Sequence, residues 1–424
     1  MKESHPKELY VLALAEMCER YTFWGIGNLL VLYLIDYYKF SAESAAHTYG
    51  LFAGFAAFLP LIGGFIADRW NYHQPLFIGV FTNVVGCILL ALGNSTLMFV
   101  ALGIIALGFG IFTPSILTLL GFTYRTRPKL REGGFSIYYA SVNIGVFLAM
   151  MSLGITAQKF GWRAAFLLAG FVQLLGLIPL IWYIKKHHVY YKDMHPTKVV
   201  IGSKEEAVPP RQKKHIIVIL TLTLFSIVFW MPYSQGFSSM SVFVLNFIHR
   251  NFGSFEIPTA WILSSESFFL ILLAPFFSSL YQYLQKIKKD PSPSIKTALS
   301  LVSMAICFAI MLFISRKIPH GATKADLPFI YPIIAYFFMA VGEMLLAPIG
   351  LSLVANLAPR RFTALLIGTW YVCAGFAFYL GGLFAGLIQK IPSLAEFFSI
   401  FFFVAIIPAI GLFCFARKLT RMSK

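Results

Sequence analysis

Charge is scarce in this sequence. Of 424 residues only 12% are Asp, Glu, Lys or Arg, against about 25% in an ordinary soluble chain. Acids are scarcer still, 17 against 34 Lys and Arg. Cysteine is limited to Cys18, Cys87, Cys307, Cys373 and Cys414, with no CxxC pair and no metal-ligand spacing. That excludes a disulfide-built secreted domain, and the thiols read as small apolar side chains. No Walker motif, phosphate loop or nucleophile–base pair is evident, and Gly108 and Gly110 do not extend to a dinucleotide fingerprint. The expectation is a chain that is not an enzyme and holds no cofactor.

What fills the sequence instead is apolar, 58% of all residues. A soluble core cannot hide that much, so the class is an all-α polytopic membrane protein. A helical span needs roughly 20 apolar residues. Twelve such stretches can be drawn, at about 9–37, 47–67, 75–93, 96–122, 134–158, 163–185, 215–248, 257–284, 295–315, 327–357, 361–389 and 393–416. The first is too long and too charged for a cleavable signal. Segment 188–214 is polar and basic, with Pro209 and Pro210, and separates an N-terminal six-helix half (1–187) from a C-terminal one (215–424). Such a layout suits a two-half transporter with its site near the midplane. GLFAG occurs twice, at Gly50–Gly54 and Gly382–Gly386, either as a close-contact motif or as coincidence in glycine-rich helices.

Twelve spans put both termini on one face of the membrane. That face collects 25 Lys and Arg and the opposite loops 8. By the positive-inside rule both ends are expected in the cytoplasm, in a cell membrane. The basic excess is then topology and lipid contact, with no nucleic-acid partner.

Four acids fall inside spans: Glu16, Glu19, Glu266 and Glu343, with Arg20 the single base well inside. A charge at the bilayer centre costs about 3 kcal/mol or more, which makes each a functional candidate. Glu16, Glu19 and Arg20 sit at i, i+3 and i+4, on one helix face. Arg20 can hold one acid as a carboxylate and leave the other free to take up and release a proton; the alternative is a static ion pair. Glu343 lies fourteen residues from Phe329 and fourteen from Leu357, mid-span, with no basic partner nearby in sequence. It is either a neutral acid bonded to a backbone carbonyl or a group awaiting a cation. Glu266 is similar but nearer a span end. Asn143, Trp24, Trp230 and Trp370 also fall within spans, where an aromatic is either packing or ligand cage.

These residues resemble a known family, the proton-dependent oligopeptide transporters of the major facilitator superfamily. Span one, EMCERYTFWG, is similar to the family's ExxER opening with Glu16, Glu19 and Arg20. GGFIADRW after span two is similar to GGxxADR, with Asp68 and Arg69 as a gating motif. FSIYYASVNIG supplies Asn143, GEMLLAPIGLSLVANLAP supplies Glu343, and span eleven supplies Trp370. The resemblance implies twelve helices around an aqueous cavity and symport of di- and tripeptides with protons by alternating access, in a functional monomer. It implies proton coupling at Glu16, Glu19 and Arg20, the substrate amine at Glu343, and Asn143, Trp230 and Trp370 lining the pocket.

The departures from the family pattern fall mostly on charge. An expected Arg reads Gly27, a span-four Lys reads Thr113 before Pro114, a span-seven Glu reads Ser234 before Gln235, and a span-eight Asn reads Glu266. Two pocket tyrosines read Trp24 and Ala57. The carboxylate end of the pocket is therefore expected to be weakened and the amine end kept or strengthened. Small peptides or amine-bearing solutes are the expected substrates. The rivals are a member repurposed for amino acids, amines or another small solute, and a peptide sensor that shows no flux.

Overall fold

The computed structural model describes residues 4–69, 73–125, 127, 130–187, 209–319, 322–357, 363–389, 391 and 393–422. The helices in chain order are α1 (Lys7–Asp36), α2 (Ala42–Arg69), α3 (His73–Leu92), α4 (Ser95–Thr123), α5 (Arg131–Phe160), α6 (Trp162–Leu175), α7 (Leu177–His187), α8 (Pro210–Tyr233), α9 (Ser239–Phe247), α10 (Thr259–Leu263), α11 (Ser265–Lys286), α12 (Pro293–Ser315), α13 (Ile330–Leu357), α14 (Thr363–Ala385) and α15 (Leu394–Met422). A two-stranded hairpin, β1 (Asn251–Phe252) and β2 (Phe255–Glu256), turns at Gly253, whose φ of 63° favours glycine.

Among the described residues, eleven helical segments are long and apolar enough to cross a membrane. α1 has the length, 30 residues, but carries Glu16, Glu19 and Arg20 in its middle. Three of the expected spans are interrupted. Gly176 separates α6 from α7. Pro232 removes a backbone donor near the end of α8, and a 3-10 turn over Ser234–Phe237 leads into α9. Ser264 divides α10 from α11. Helix ends follow local chemistry: Asn94 caps α4 by accepting from the amides of Thr96 and Leu97, and Gly93 closes α3 with φ 71°. The linker read as 188–214 lies outside the described residues up to 208.

The chain forms two compact units, Met1–Leu30 with Phe55–Glu205, and Val31–Gly54 with Glu206–Lys424. In the first, α3 runs along α4 and α6, and α5 along α6. Glycines permit the close packing: a Cβ on Gly79 would stand 2.8 Å from the Cβ of Phe112. Leu76, Val80, Phe112, Ile116, Leu180 and Tyr183 form its core. In the second, α12 packs on α13 and α15, α14 on α8, and α11 on α13. Large apolar side chains such as Phe160, Ile178, Ile407 and Phe415 are exposed. A helix surface of this kind suits hydrocarbon, where backbone groups are satisfied within each helix. The protein is a multi-pass membrane protein.

Candidate functional site

The first unit buries one base between two acids. Arg20 Nε donates to Glu16 Oε1 at 2.7 Å, and its Nη1 stands 3.3 Å from Glu19 Oε2. Its Nη2 donates to Thr113 Oγ1 of α4 at 2.9 Å. The guanidinium also lies over the ring of Phe109, 4.7 Å from its centroid. All three charged residues are at most 5% exposed. The 3.6-residue period places the acids one turn either side of the guanidinium, so one side chain reaches both. Asn83 of α3 donates its amide to Glu19 Oε1 at 3.4 Å, and Tyr138 of α5 faces Glu16. Two carboxyls share one guanidinium here, so a proton can be added to the cluster without leaving a cation unpaired.

Trp24 and Asn143 belong to the same unit but not to the ion cluster. Trp24 meets Phe23 and Phe109 edge-on, and Phe23 stacks on Phe109 at 3.9 Å. Asn143 donates to the Tyr139 carbonyl of its own helix at 3.1 Å, so that amide proton is engaged within α5. Asp68 and Arg69 end α2, and their side chains lie outside the described residues.

The second unit brings two acids together. Glu266 of α11 and Glu343 of α13 are both buried, at 1% and 8% exposure, and close enough to act on each other electrostatically. Tyr233 Oη donates to Glu266 Oε1 at 3.0 Å and Ser267 Oγ to Oε2 at 2.9 Å. Tyr233 joins the pair to an aromatic group: Trp230 meets it edge-on at 5.1 Å and stacks on Phe378 at 6.2 Å. The Trp230 indole Nε1 is buried without a hydrogen-bond partner.

Ser234 is spent on structure. Its Oγ donates to the Met231 carbonyl at 2.7 Å, and a Cβ on Gly381 would stand 1.8 Å from that oxygen. The neighbouring Gln235 donates to the Gly381 carbonyl at 2.9 Å. Trp370 is buried in α14. Sequence reading gave no role to Asn83, Phe109, Tyr233 or Ser267, and it listed Thr113 only as a departure. The available signal was a polar side chain within an apolar span, as at Asn83.

Comparison with known proteins agrees with this arrangement of helices. A profile described as the POT family matches residues 74–208 and 181–401. The chain is 27% identical to Peptide transporter YePEPT of Yersinia enterocolitica, over 91% of this chain and 87% of that one. It is 25% identical to Dipeptide and tripeptide permease B of Aliivibrio fischeri, over 99% and 95%. Among solved structures, a peptide transporter POT in complex with sulfate superposes with a TM-score of 0.89 at 22% identity, covering 100% of this chain and 96% of that one. A POT family transporter in complex with 5-aminolevulinic acid gives 0.86 at 20%, covering 99% and 98%. The fold is that of the major facilitator superfamily, the protein is a transporter and not an enzyme, and the chain belongs to the POT family.

Proposed function

We infer that this chain carries di- and tripeptides across a cell membrane together with protons, by alternating access. The observation that carries the inference is the buried triad in which Glu16 and Glu19 share Arg20. A carrier needs a site whose charge state changes with the proton, and two acids on one base provide it. The names of the relatives, a peptide transporter and a dipeptide and tripeptide permease, support peptides as cargo. In this reading a proton on Glu16 or Glu19 frees Arg20 from one partner. The substrate's amino group is taken by Glu343 with Glu266 beside it, and Trp230 and Trp370 of the same unit are further contacts for it, while Trp24 and Asn143 are the candidates of the first unit. Asp68 and Arg69 serve the gating motif. The excess of Lys and Arg on the side of the termini supports a cytoplasmic location for both ends.

A second reading rests on Arg20 itself. Its three nitrogens are engaged by Glu16, Glu19 and Thr113, so a substrate carboxylate must compete with protein partners. That favours a solute recognised mainly by its amine.

The deciding experiment is uptake of a labelled dipeptide into proteoliposomes, with and without an inward proton gradient, beside Glu343→Gln. Gradient-driven uptake lost in the variant is expected. No uptake by a verified, folded preparation would overturn peptide transport.

A further inference from the structure

The cluster of Glu16, Glu19 and Arg20 is also held from α4. Phe109 and Thr113 stand at i and i+4 on that helix and so share one of its faces. Both reach Arg20. Thr113 Oγ1 accepts from Nη2 at 2.9 Å, and the centroid of the Phe109 ring is 4.7 Å from the guanidinium carbon. Phe23, three residues beyond Arg20 on α1, stacks on that ring at 3.9 Å with 16° between the planes, which fixes the ring's orientation. Trp24 meets it edge-on at 6.4 Å. Phe109 and Thr113 are both buried. From the other helices, Asn83 of α3 donates to Glu19 and Tyr138 of α5 faces Glu16. α4 therefore gives the guanidinium two uncharged contacts, one at its edge and one at its face.

A guanidinium keeps its charge at any pH a protein meets, and it presents both planar donors and a π face. Glu16 and Glu19 compensate that charge only while they are ionised. Each proton that arrives takes one carboxylate away from Arg20, and a buried cation without compensation is costly. The Thr113 hydroxyl and the Phe109 ring do not titrate with the acids, so they attract the cation equally before and after. We propose that Phe109 and Thr113 are positioning residues of the proton site: they carry part of the Arg20 charge when Glu16 or Glu19 is protonated, and so set the pH at which the cluster takes up its proton. The proposal rests on the proton-coupled reading above and deepens it by two residues that bind no proton themselves. Without them Arg20 has mainly the carboxylates to lean on. Protonating either acid then becomes harder and requires a lower pH.

The test titrates the site by infrared spectroscopy in purified protein. The carbonyl band of a protonated carboxyl is followed against pH, and the part belonging to the cluster is identified by its loss in Glu16→Gln or Glu19→Gln. Thr113→Val keeps the side chain's shape and removes the acceptor. Phe109→Leu keeps an apolar side chain and removes the ring. Either is expected to move the midpoint of the band to lower pH by about one unit, and the midpoint of gradient-driven dipeptide uptake with it. Thr113→Ser and Phe109→Tyr, which keep the acceptor and the ring, should titrate like wild type. Size-exclusion profiles verify the fold of each variant. A midpoint that stays or rises in Thr113→Val and Phe109→Leu overturns the proposal. So does an equal fall in the serine and tyrosine variants, which would mark a packing effect, and so does the lack of any titrating band lost in the two glutamine variants. If the band shifts as expected while no protein shows gradient-driven uptake, the positioning role stands and proton-coupled transport falls.

Discussion

Gly50 of α2 and Gly382 of α14 meet backbone to backbone: a Cβ on Gly50 would stand 2.7 Å from the Cα of Gly382, and the reverse distance is 2.6 Å. Each opens one copy of GLFAG, and the two copies cross. Gly54 sits against Tyr379, and Gly386 against His47. The repeated motif is thus a helix crossing in which small residues replace side-chain packing with backbone proximity. At Gly50 and Gly382 the obstructing atoms are backbone, which no rotamer change can move. Gly382→Val and Gly50→Val are expected to destabilise the protein by about 1–3 kcal/mol. Gly411→Ala, with nothing within 4 Å of its added Cβ, should be neutral by the same thermal-unfolding measurement.

Arg20 is the only cation in contact with Glu16 and Glu19 among the described residues. Arg20→Met therefore strands two buried carboxylates, which costs about 3–5 kcal/mol when they are charged. The loss of stability should be largest at high pH and shrink as the pH falls, because protonated acids no longer need the base. Thermal unfolding across a pH series reads this directly. Concentrative uptake should be abolished. Arg20→Lys should not restore it, since one ammonium cannot reproduce the separate nitrogens that meet Glu16, Glu19 and Thr113. Glu19→Gln should likewise end concentrative uptake while leaving exchange partly intact.

The carboxylate of the substrate is expected to matter little. With all three Arg20 nitrogens engaged inside the protein, a dipeptide and its C-terminal amide should be taken up with kcat/KM values within about threefold, less than ~1 kcal/mol apart. Competition uptake with the two compounds measures this. A far better dipeptide would mean that Arg20 releases its partners to the substrate.

The spans were legible because hydrocarbon imposes one length and one composition on every helix. The Glu16–Glu19–Arg20 contact was legible too, because i, i+3 and i+4 spacing fixes neighbours on a helix before any tertiary fold exists. Glu343 read from its own span as an isolated acid. Its partner Glu266 is on another helix, and no local period connects α11 with α13. Thr113 read as a lost lysine, whereas the fold sets its hydroxyl against Arg20. The interruption after Pro232 also escaped a hydropathy reading, since the polar stretch Ser234–Gly236 is too short to lower the average of the apolar segment Gln212–Phe247 that contains it.

Asn83 offers the sharpest test of how the proposed proton site is held. It is fully buried, its amide donates to Glu19, and its Oδ1 is packed against Gly108 of α4, where an added Cβ would stand 2.1 Å away. Gly108→Ala must push the amide off Glu19, so it should act like Asn83→Ala although it touches no charged group. In the proposed cycle, losing that donor removes support from the carboxylate that forms when the proton leaves. At 3.4 Å the hydrogen bond is long, so a loss of about 1 kcal/mol, or about fivefold in kcat for gradient-driven uptake, is expected. Substrate exchange without a gradient should change little. Gly103→Ala on the same helix, with nothing within 4 Å, is the control. If Gly108→Ala and Gly103→Ala behaved alike, Asn83 would have no part in positioning Glu19.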